Sequence, residues 1–336
     1  MLLPLPDVVP DACLMTAVKD EGPDLLEWLA WHRMIGFGRI VVWSNDCSDG
    51  SDLMLDRLAA MGWLTHHRHT PPAGLSAQDN VARLALQDPQ RAGASWAMWL
   101  DADEFLVVHP GRGGLADLLA NMGRAVGMAV NWRVFGSSGF RQTLPGQLAV
   151  DRFRRCAPLE DTFSRTVKTL YRTGPQIAAL GIHRPLWQPG SEPRVLGSRG
   201  RPLNSRFLFS PKKNGRPRDM LGQGQQGWHL AQVNHYAVKA LDRLALKRAR
   251  GNGLIPGATA DRFGADYLGW FDRNEEEDHS AARHLPALRD VMAEALDDRP
   301  LAALWQAAAA RQAARLAEVG AWVTHLADLQ ELRQAG

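Results

Sequence analysis

The chain has 336 residues, and 45% of them are hydrophobic, so it can bury the core of one large domain or of one domain with an extension. Its formal net charge is only +3, and aromatic residues do not alternate with the basic ones, so we expect no nucleic-acid partner. Cys13, Cys47 and Cys156 show no metal-site spacing, and their odd number is typical of a reducing compartment.

The amino-terminal residues do not resemble a signal peptide, because they lack a charged leader and contain Pro4, Pro6 and Pro10. No uncharged apolar run reaches the roughly 20 residues that a membrane-spanning helix needs. We therefore expect a cytoplasmic protein, and any contact with a membrane is expected to be peripheral and at its inner face.

Strands and helices alternate through the first third of the chain. Buried strands are predicted at 13–18, 39–43, 63–67 and 96–100, and helices are predicted at 24–35, 52–61 and 78–86. This alternation predicts an α/β fold with a Rossmann-like, mostly parallel, twisted sheet flanked by helices. In such sheets ligands bind beyond the carboxyl ends of the strands.

Two carboxylates, Asp101 and Asp103, follow the fourth predicted strand. Residues two apart on a strand point to the same side, so the pair would place hard oxygen ligands together. Such ligands suit Mg²⁺ or Mn²⁺, and a divalent ion in turn suits a diphosphate. The alternative is a turn in which aspartate accepts backbone N–H groups.

Polar clusters also follow the first two strands, as KDEGP at 19–23 and SNDCSDGS at 44–51. Each cluster by itself is equally consistent with a turn or a helix cap. Because three clusters end three strands at one edge of one sheet, together they predict a nucleotide-binding cleft with a metal.

Several motifs resemble those of GT-A glycosyltransferases of the family-2-like and family-92-like groups, bacterial members included. In chain order they are AVKDE at 17–21, EWLAWH at 27–32, SNDCSDG at 44–50, WLDADEFL at 99–106, NWRVFGSSG at 131–139, VNHYAVK at 233–239 and KRARG at 247–251. The resemblance implies a GT-A fold and an inverting, hexosyltransferase-type enzyme. It also implies a nucleotide-sugar donor with UDP favoured, a glycan or lipid-linked acceptor, and Mn²⁺ or Mg²⁺.

The resemblance assigns roles to the residues that match these motifs. Asp103 would bind the metal directly, Asp101 would bind the ribose or reach the metal through water, and His235 would complete the metal shell. The nucleotide sugar would contact Val18, Lys19, Asp20, Glu21, Asn45, Asp46, Asp49, Gln78, Asp79, Asn80, Asp101 and Lys239. The alternative for His235 is a hydrogen-bonded core histidine, and for Asp79 a carboxylate that stabilises a helix start.

A helix is predicted at 236–250, and its basic side carries Lys239, Arg243, Lys247 and Arg250. Of these four side chains, we expect Lys239 to touch the diphosphate. The alternative for this basic side is a solvated surface.

An inverting transfer needs a carboxylate that deprotonates the acceptor hydroxyl. The expected bases are Asp278, Asp161 and Glu104, although Glu104 is expected to point to the opposite side of its strand. Acceptor-side residues are expected at Gly136, Ser137, Ser138 and Gly139, where small residues let a sugar approach the backbone, and at His183 and His229. The alternative for 136–139 is a flexible hairpin turn.

The predicted GT-A domain covers 11–283, with a nucleotide-sugar-binding half at 11–110 and an acceptor half at 125–283. The acceptor half contains a mobile basic loop at about 198–227. Residues 284–336 are predicted to be a helical extension that Gly320 bends or divides. Its apolar stripe is expected either to pack on the same chain or to form a homodimer contact.

Two other functions stay open at this point. A metal-dependent nucleotidyltransferase would need a Gly-rich phosphate loop after the first strand, and Lys19 is present without such a loop. Asp101, Asp103 and His235 argue against a catalytically silent glycan-binding protein, and detection of turnover would separate it from an enzyme.

Overall fold

The computed structural model describes residues 5–144, 146–209, 219–251 and 263–335. Its strands are β1 (Val9–Val18), β2 (Phe37–Ser44), β3 (Thr65–Arg68), β4 (Trp96–Trp99), β5 (Glu104–Val108), β6 (Gly127–Val134), β7 (Arg155–Cys156), β8 (Val167–Arg172), β9 (Ile177–Leu180), β10 (Pro185–Trp187), β11 (Val195–Gly197), β12 (Ala231–His235) and β13 (Glu276–Glu277). Its helices are α1 (Asp24–Met34), α2 (Ser51–Ala60), α3 (Ala77–Gln87), α4 (Pro89–Ala92), α5 (Leu115–Ala120), α6 (Ala149–Arg152), α7 (Ser205–Leu208), α8 (Leu241–Arg250), α9 (Ala265–Phe271), α10 (Leu285–Leu296), α11 (Arg299–Glu318) and α12 (Gly320–Ala335).

The main sheet confirms the predicted α/β class. Within the described ranges its strand order is β3-β2-β1-β4-β8-β6-β12-β5, and β11 pairs with β6. The strands β3, β2, β1 and β4 are all parallel, whereas β8 is antiparallel to β4 and β6. The strand β12 is parallel to β6 and antiparallel to β5. A parallel amino-terminal half is thus joined to a mixed half, and helices flank the sheet.

Both faces of β1 are buried, which explains its continuous apolar sequence. Leu14 packs on one face, in the core that contains Leu29 of α1. Met15 packs on the other face, in the core that contains Val81 of α3. Each of these buried side chains contributes about 2 kcal/mol of hydrophobic free energy, so burial on two sides fixes the position of β1.

The end of α1 and the start of β2 follow from local sequence. The helix α1 stops at Met34, and Gly36 follows with a left-handed φ of 112°. A Cβ atom on Gly36 would lie 2.6 Å from the carbonyl oxygen of Asp7, so glycine is required there. The chain can then turn directly into β2.

Two predicted elements differ from the observed ones. The helix predicted at 236–250 begins only at Leu241, because the preceding residues form a turn in which Lys239 has a positive φ of 56°. The third strand is Thr65–Arg68, shifted by one to two residues from the prediction. The domain boundaries are not tested by these observations and stay predictions.

The carboxyl-terminal segment packs on the same chain. Pro300 lies at the start of α11, and a new helix, α12, begins at Gly320, so the predicted division is observed. Leu301 is buried in the main core, and Leu326 packs with Leu244 of α8 in a separate cluster. A homodimer contact through this segment stays a prediction.

Residues 210–218 of the predicted basic loop lie outside the described residues, so the mobility of that loop stays a prediction. No helix in the described ranges is both long enough and apolar enough to cross a membrane.

Candidate functional site

A cavity of about 360 Å³ opens at the carboxyl ends of the parallel strands, and we call it the main cavity. Its walls come from the residues after β1 and β2, the start of α3, the turn between β4 and β5, and the end of β12. The predicted site residues among its lining are Val18, Lys19, Glu21, Asn45, Gln78, Asp101, Asp103, His183 and His235. The fold therefore brings together side chains that are far apart in the sequence.

A smaller cavity of about 50 Å³ lies beside the main one, and we call it the side cavity. Lys247 and Arg250 line both cavities, so they form part of the wall between them. Three predicted nucleotide-binding residues, Asp20, Asp49 and Lys239, line the side cavity instead of the main one.

Asp101 and Asp103 lie on a tight turn rather than on a strand, because β4 already ends at Trp99. The turn is closed by the Glu104 N–H group, which donates to the carbonyl oxygen of Asp101 at 2.9 Å. The two carboxylates therefore follow the strand, as the sequence indicates, but they come from a turn and not from one face of an extended strand. Both nevertheless face the main cavity, because the turn projects beyond the sheet edge.

The Asp101 carboxylate accepts hydrogen bonds from three other segments. Lys168 Nζ donates to Oδ2 at 3.0 Å, whereas Trp99 Nε1 and Gln78 Nε2 donate to Oδ1 at 3.0 and 3.3 Å. Burial alone would raise the pKa of Asp101, but attraction to the Lys168 ammonium, the hydrogen bond from Trp99 and attraction to His183 together outweigh it and lower that pKa. Asp101 is therefore ionised at neutral pH, and both its oxygens are engaged.

Asp103 forms an ion pair with a lysine of α8. Lys247 Nζ donates to Asp103 Oδ2 at 2.5 Å. Burial opposes the charge on both groups, but their mutual attraction outweighs it, so the pKa of Asp103 is well below its usual range and that of Lys247 is raised. Both groups are charged at neutral pH.

His235 ends β12 and faces Asp103, with its Nε2 3.7 Å from Asp103 Oδ1. The ring packs against Trp132 at a centroid distance of 4.2 Å and against Phe271 at 5.6 Å. Burial in this apolar surrounding lowers the pKa of His235 to about 4, so the imidazole is neutral at neutral pH. Its Nδ1 is buried and has no hydrogen-bond partner in the described part of the chain.

The predicted metal ligands fit a divalent ion in part. The 3.7 Å between Asp103 Oδ1 and His235 Nε2 is too long for a hydrogen bond, but two ligands each about 2.1 Å from one ion can be this far apart. Asp101 does not join them, because its oxygens are held by Lys168 and its neighbours. Within the described ranges no group of three His, Cys, Asp or Glu side chains could hold a metal. A two-ligand site suits an ion whose other ligands are water and substrate phosphates.

Glu104 is fully buried beneath the acidic turn and does not line either cavity. Its Oε2 accepts a hydrogen bond from the Asp101 N–H group at 2.8 Å and lies 3.0 Å from Lys168 Nζ. Burial raises the pKa of Glu104 to about 8 despite the attraction of Lys168. The structure therefore does not bring this predicted base to the cavity, because its carboxyl group points into the protein, as the strand alternation indicated.

The other two predicted bases also lie outside both cavities. Asp161 is paired with Arg273, and Asp278 is paired with Arg133. Each of the two carboxylates is only 5% exposed. A base must reach the acceptor hydroxyl, so these positions do not suit the role in this geometry.

The predicted acceptor segment 136–139 packs against the protein rather than against a cavity. A Cβ atom on Gly136 would lie 2.4 Å from the carbonyl oxygen of Arg273, so glycine there is required by another backbone segment. Ser137 is fully buried and accepts a hydrogen bond from Gln330 Nε2 of α12. His229 is exposed and does not line either cavity.

Three more predicted nucleotide-binding residues do not line a cavity. Asp46 is exposed, and Asn80 contacts His69 with its side-chain nitrogen 3.1 Å from Nδ1. Asp79 lies in the first turn of α3, where its N–H group donates to Ser76 Oγ at 3.0 Å. The helix-start interpretation of Asp79 therefore accounts for its position.

Lys168 and Arg250 were not among the predicted site residues. Lys168 is fully buried on β8. The signal for it is a lysine near the start of the strand sequence VKTLYR, in which only Arg172 is exposed. Arg250 donates to the carbonyl oxygen of Lys19 at 2.8 Å and pairs with Glu21 at 2.5 Å. It thereby fixes the backbone that follows β1, although it comes from the end of α8.

The helix α11, in the carboxyl-terminal segment, also contacts the site. Arg315 Nη1 donates to Asp20 Oδ2 at 3.0 Å, and Asp20 Oδ1 accepts from the Ser48 N–H group at 2.6 Å. Arg311 Nη1 donates to the carbonyl oxygen of Asp49 at 3.3 Å. The two loops after β1 and β2 therefore contact each other and a segment that lies 262 to 295 residues later.

Comparison with known proteins finds relatives for part of the chain, although no protein-family profile matches it. A glycosyltransferase family 92 protein of Ricinus communis is 27% identical over 141 residues, which are 41% of this chain and 25% of that protein. Another, from Oryza sativa subsp. japonica, is 29% identical over 109 residues, or 32% of this chain and 18% of that protein. The chain therefore matches a quarter or less of the length of these curated relatives.

Solved structures show a weaker likeness. S. aureus TarS 1–349 is 15% identical with a TM-score of 0.30, over 48% of this chain and 47% of that one. Core-mannan synthase A from Aspergillus fumigatus, in its Mn/GDP form, is 8% identical with a TM-score of 0.25, over 38% of this chain and 43% of that one. At these scores the likeness gives no information on substrate or mechanism.

Proposed function

We propose that this protein is a glycosyltransferase, which moves a sugar from a nucleoside-diphosphate donor to a hydroxyl of a glycan or lipid-linked acceptor. The observation that carries the proposal is the main cavity, in which Asp101, Asp103 and His235 meet the residues that follow β1 and β2. This is the edge at which open α/β sheets bind nucleotides. The similarity to family 92 glycosyltransferases supports the same chemistry.

The size of the main cavity supports a donor of this kind. Its volume of about 360 Å³ lies within the usual range of small-molecule sites. Lys19, Lys247 and Arg250 place cationic side chains on its lining, which suits a diphosphate. UDP as the preferred nucleoside diphosphate, and inversion at the anomeric carbon, stay predictions of the family resemblance.

During transfer the bond from the anomeric carbon to the oxygen of the diphosphate breaks, and the acceptor oxygen forms a new bond to that carbon. The proton of the acceptor hydroxyl passes to water. Negative charge then collects on the leaving diphosphate, and Lys247 and Arg250 are positioned to stabilise it. A divalent ion bound by Asp103 and His235, Mn²⁺ or Mg²⁺, would add Lewis-acid stabilisation of the same charge. Lys168 keeps Asp101 ionised and fixes its orientation beside the ribose or diphosphate.

Calorimetry with UDP, GDP, CDP and ADP, each with and without Mn²⁺, tests the donor site. We expect one of these nucleotides to bind the wild type, and Asp103→Asn to weaken that binding at least about ten-fold, or 1.4 kcal/mol. Asp290→Asn is the matched control, because Asp290 is exposed on α10 and should leave binding unchanged. Absence of binding by all four nucleotides in both conditions would refute the proposal.

Turnover separates an enzyme from a silent glycan-binding protein. The wild type should slowly hydrolyse the nucleotide sugar that matches the bound nucleotide, because water can replace an absent acceptor. Chromatography would detect the released nucleoside diphosphate and free sugar, and Asp103→Asn should release neither. Tight nucleotide binding without any release would favour the binding protein instead.

A further inference from the structure

Lys247 occupies the carboxylate that is expected to receive the metal. Its Nζ donates to Asp103 Oδ2 at 2.5 Å and to the carbonyl oxygen of Ala237 at 3.2 Å, and it lies 3.5 Å from the Tyr267 hydroxyl oxygen. The side chain comes from the last turn of α8 and lines the main cavity. An ammonium group therefore lies directly on the oxygen next to the predicted metal position.

Two lysines neutralise the charges of the acidic turn. Lys168 is 3.0 Å from Asp101, and Lys247 is 2.5 Å from Asp103, so each aspartate has one cation. A divalent ion that approached Asp103 would meet the positive charge of Lys247 at close range in a largely buried site. A metal on Oδ1 of Asp103 is therefore disfavoured while the ammonium remains on Oδ2.

A bound diphosphate offers the displaced ammonium a new partner. The four-carbon side chain of lysine is flexible, and its ammonium is a point charge that binds phosphate oxygens readily. Lys247 already lies on the wall of the main cavity, so a rotamer change can move its ammonium from Asp103 toward an occupant of that cavity. Without the diphosphate, the displaced charge would lose its only carboxylate partner among the described residues.

Lys239 is less suited to this role, although the sequence favoured it. Its Nζ is hydrogen-bonded to Asp24 of α1, and Arg243 pairs with the same carboxylate at 2.6 Å. Lys239 lines the side cavity and not the main one. The geometry thus favours Lys247 as the lysine that responds to the donor.

We propose that Lys247 is an exchangeable counter-ion: it holds Asp103 in the empty site and passes to the diphosphate when metal and nucleotide bind together. This inference rests on the proposed function. It predicts that metal without nucleotide binds weakly, and that nucleotide and metal strengthen each other's binding by the same factor.

Binding of Mn²⁺ alone, measured by calorimetry and by electron paramagnetic resonance, tests the exchange. We compare the wild type with Lys247→Met, which removes the charge but keeps an unbranched side chain, and with Lys247→Arg, which keeps the charge. Lys247→Met should bind Mn²⁺ without nucleotide at least about ten-fold more tightly than the wild type, a typical coupling between sites. Lys247→Arg should remain as weak as the wild type.

Two controls locate the effect. Arg83→Met removes a positive charge from the exposed side of α3 and should leave Mn²⁺ affinity unchanged. The double variant Asp103→Asn with Lys247→Met should lose the tight Mn²⁺ binding, which shows that the ion occupies Asp103. Circular dichroism and thermal unfolding check that each variant is folded.

Equal affinity of the wild type and Lys247→Met for Mn²⁺ alone would overturn the inference. If Lys247→Met does not fold, Mn²⁺ binding to the wild type decides, measured with and without whichever of UDP, GDP, CDP and ADP binds. Equal Mn²⁺ affinity in both conditions overturns the inference, whereas stronger Mn²⁺ binding with the nucleotide supports it. Failure of the proposed function has a different signature, since no nucleoside diphosphate would then bind in any condition.

Discussion

Glu104 is a buried carboxyl group whose effect on stability depends on pH. Replacement by glutamine keeps its shape but removes its ability to ionise. Burial raises the pKa of Glu104 from 4.5 to about 8, so the folded protein keeps a proton that the unfolded chain releases above pH 4.5. Wild-type stability should therefore fall as pH rises through the window from 4.5 to 8, and this contribution is fully present only below 4.5.

The size of the effect follows from the shift. A change of one pKa unit corresponds to 1.36 kcal/mol, so the shift from 4.5 to about 8 corresponds to about 5 kcal/mol across the window. The free energy of unfolding of Glu104→Gln should not fall in this way between pH 4.5 and 8, because glutamine does not titrate. Its amide nitrogen replaces Oε1, which has no partner in the described structure, so a constant cost of about 1–3 kcal/mol is added at every pH.

The assay is urea unfolding of the wild type and Glu104→Gln at pH 5, 6, 7 and 8. We expect Glu104→Gln to have a smaller free energy of unfolding than the wild type at pH 5. As pH rises to 8, the free energy of unfolding of the wild type should fall, whereas that of the variant should not fall with it. Glu192→Gln is the matched control, because Glu192 is exposed in a loop and should follow the wild-type profile. Parallel profiles for the wild type and Glu104→Gln would refute the reasoning, since they would mean that Glu104 does not keep its proton in the folded state.

Two further predictions concern the close backbone packing at Gly136 and the contact of helix α11 with the loop after β1. Gly136→Ala should cost about 1–3 kcal/mol in urea unfolding, because its Cβ would lie 2.4 Å from the carbonyl oxygen of Arg273, whereas Gly320→Ala, with open space around it, should cost nothing. Equal stabilities of these two variants would contradict the close packing. Arg315→Ala removes the 3.0 Å contact to Asp20 and should weaken nucleoside-diphosphate binding about five-fold, or 1 kcal/mol, in calorimetry. Unchanged affinity would show that this helix does not position the nucleotide loop.

The early part of the fold could be predicted because its signals are local. Apolar runs of four to eight residues and amphipathic helices alternate up to β4, and two buried faces explain why those strands are apolar throughout. The second half offers weaker signals, since β8 and β5 lie antiparallel to their neighbours and no sequence period encodes strand order. The irregular residues before α8 were missed because Lys239 takes a positive φ that its residue type does not indicate.

The sequence by itself determined which groups end the parallel strands. Asp101, Asp103 and Asn45 could be placed in one cleft because parallel strands present their carboxyl ends at one edge. His235 could be added only through the family resemblance, because β12 belongs to the mixed half of the sheet.

Only the tertiary structure decided which charges meet. Lys168 reaches Asp101 across 67 positions of sequence, and Arg315 reaches Asp20 across 295. Such pairs depend on the order of the strands in the sheet and on how the last helices pack. The hydrophobic periodicity of a local segment predicts neither. The tertiary structure also decided the orientation of Glu104. Asp103 faces the cavity, whereas the side chain of the next residue, Glu104, is buried, because one tight turn directs consecutive side chains to opposite sides.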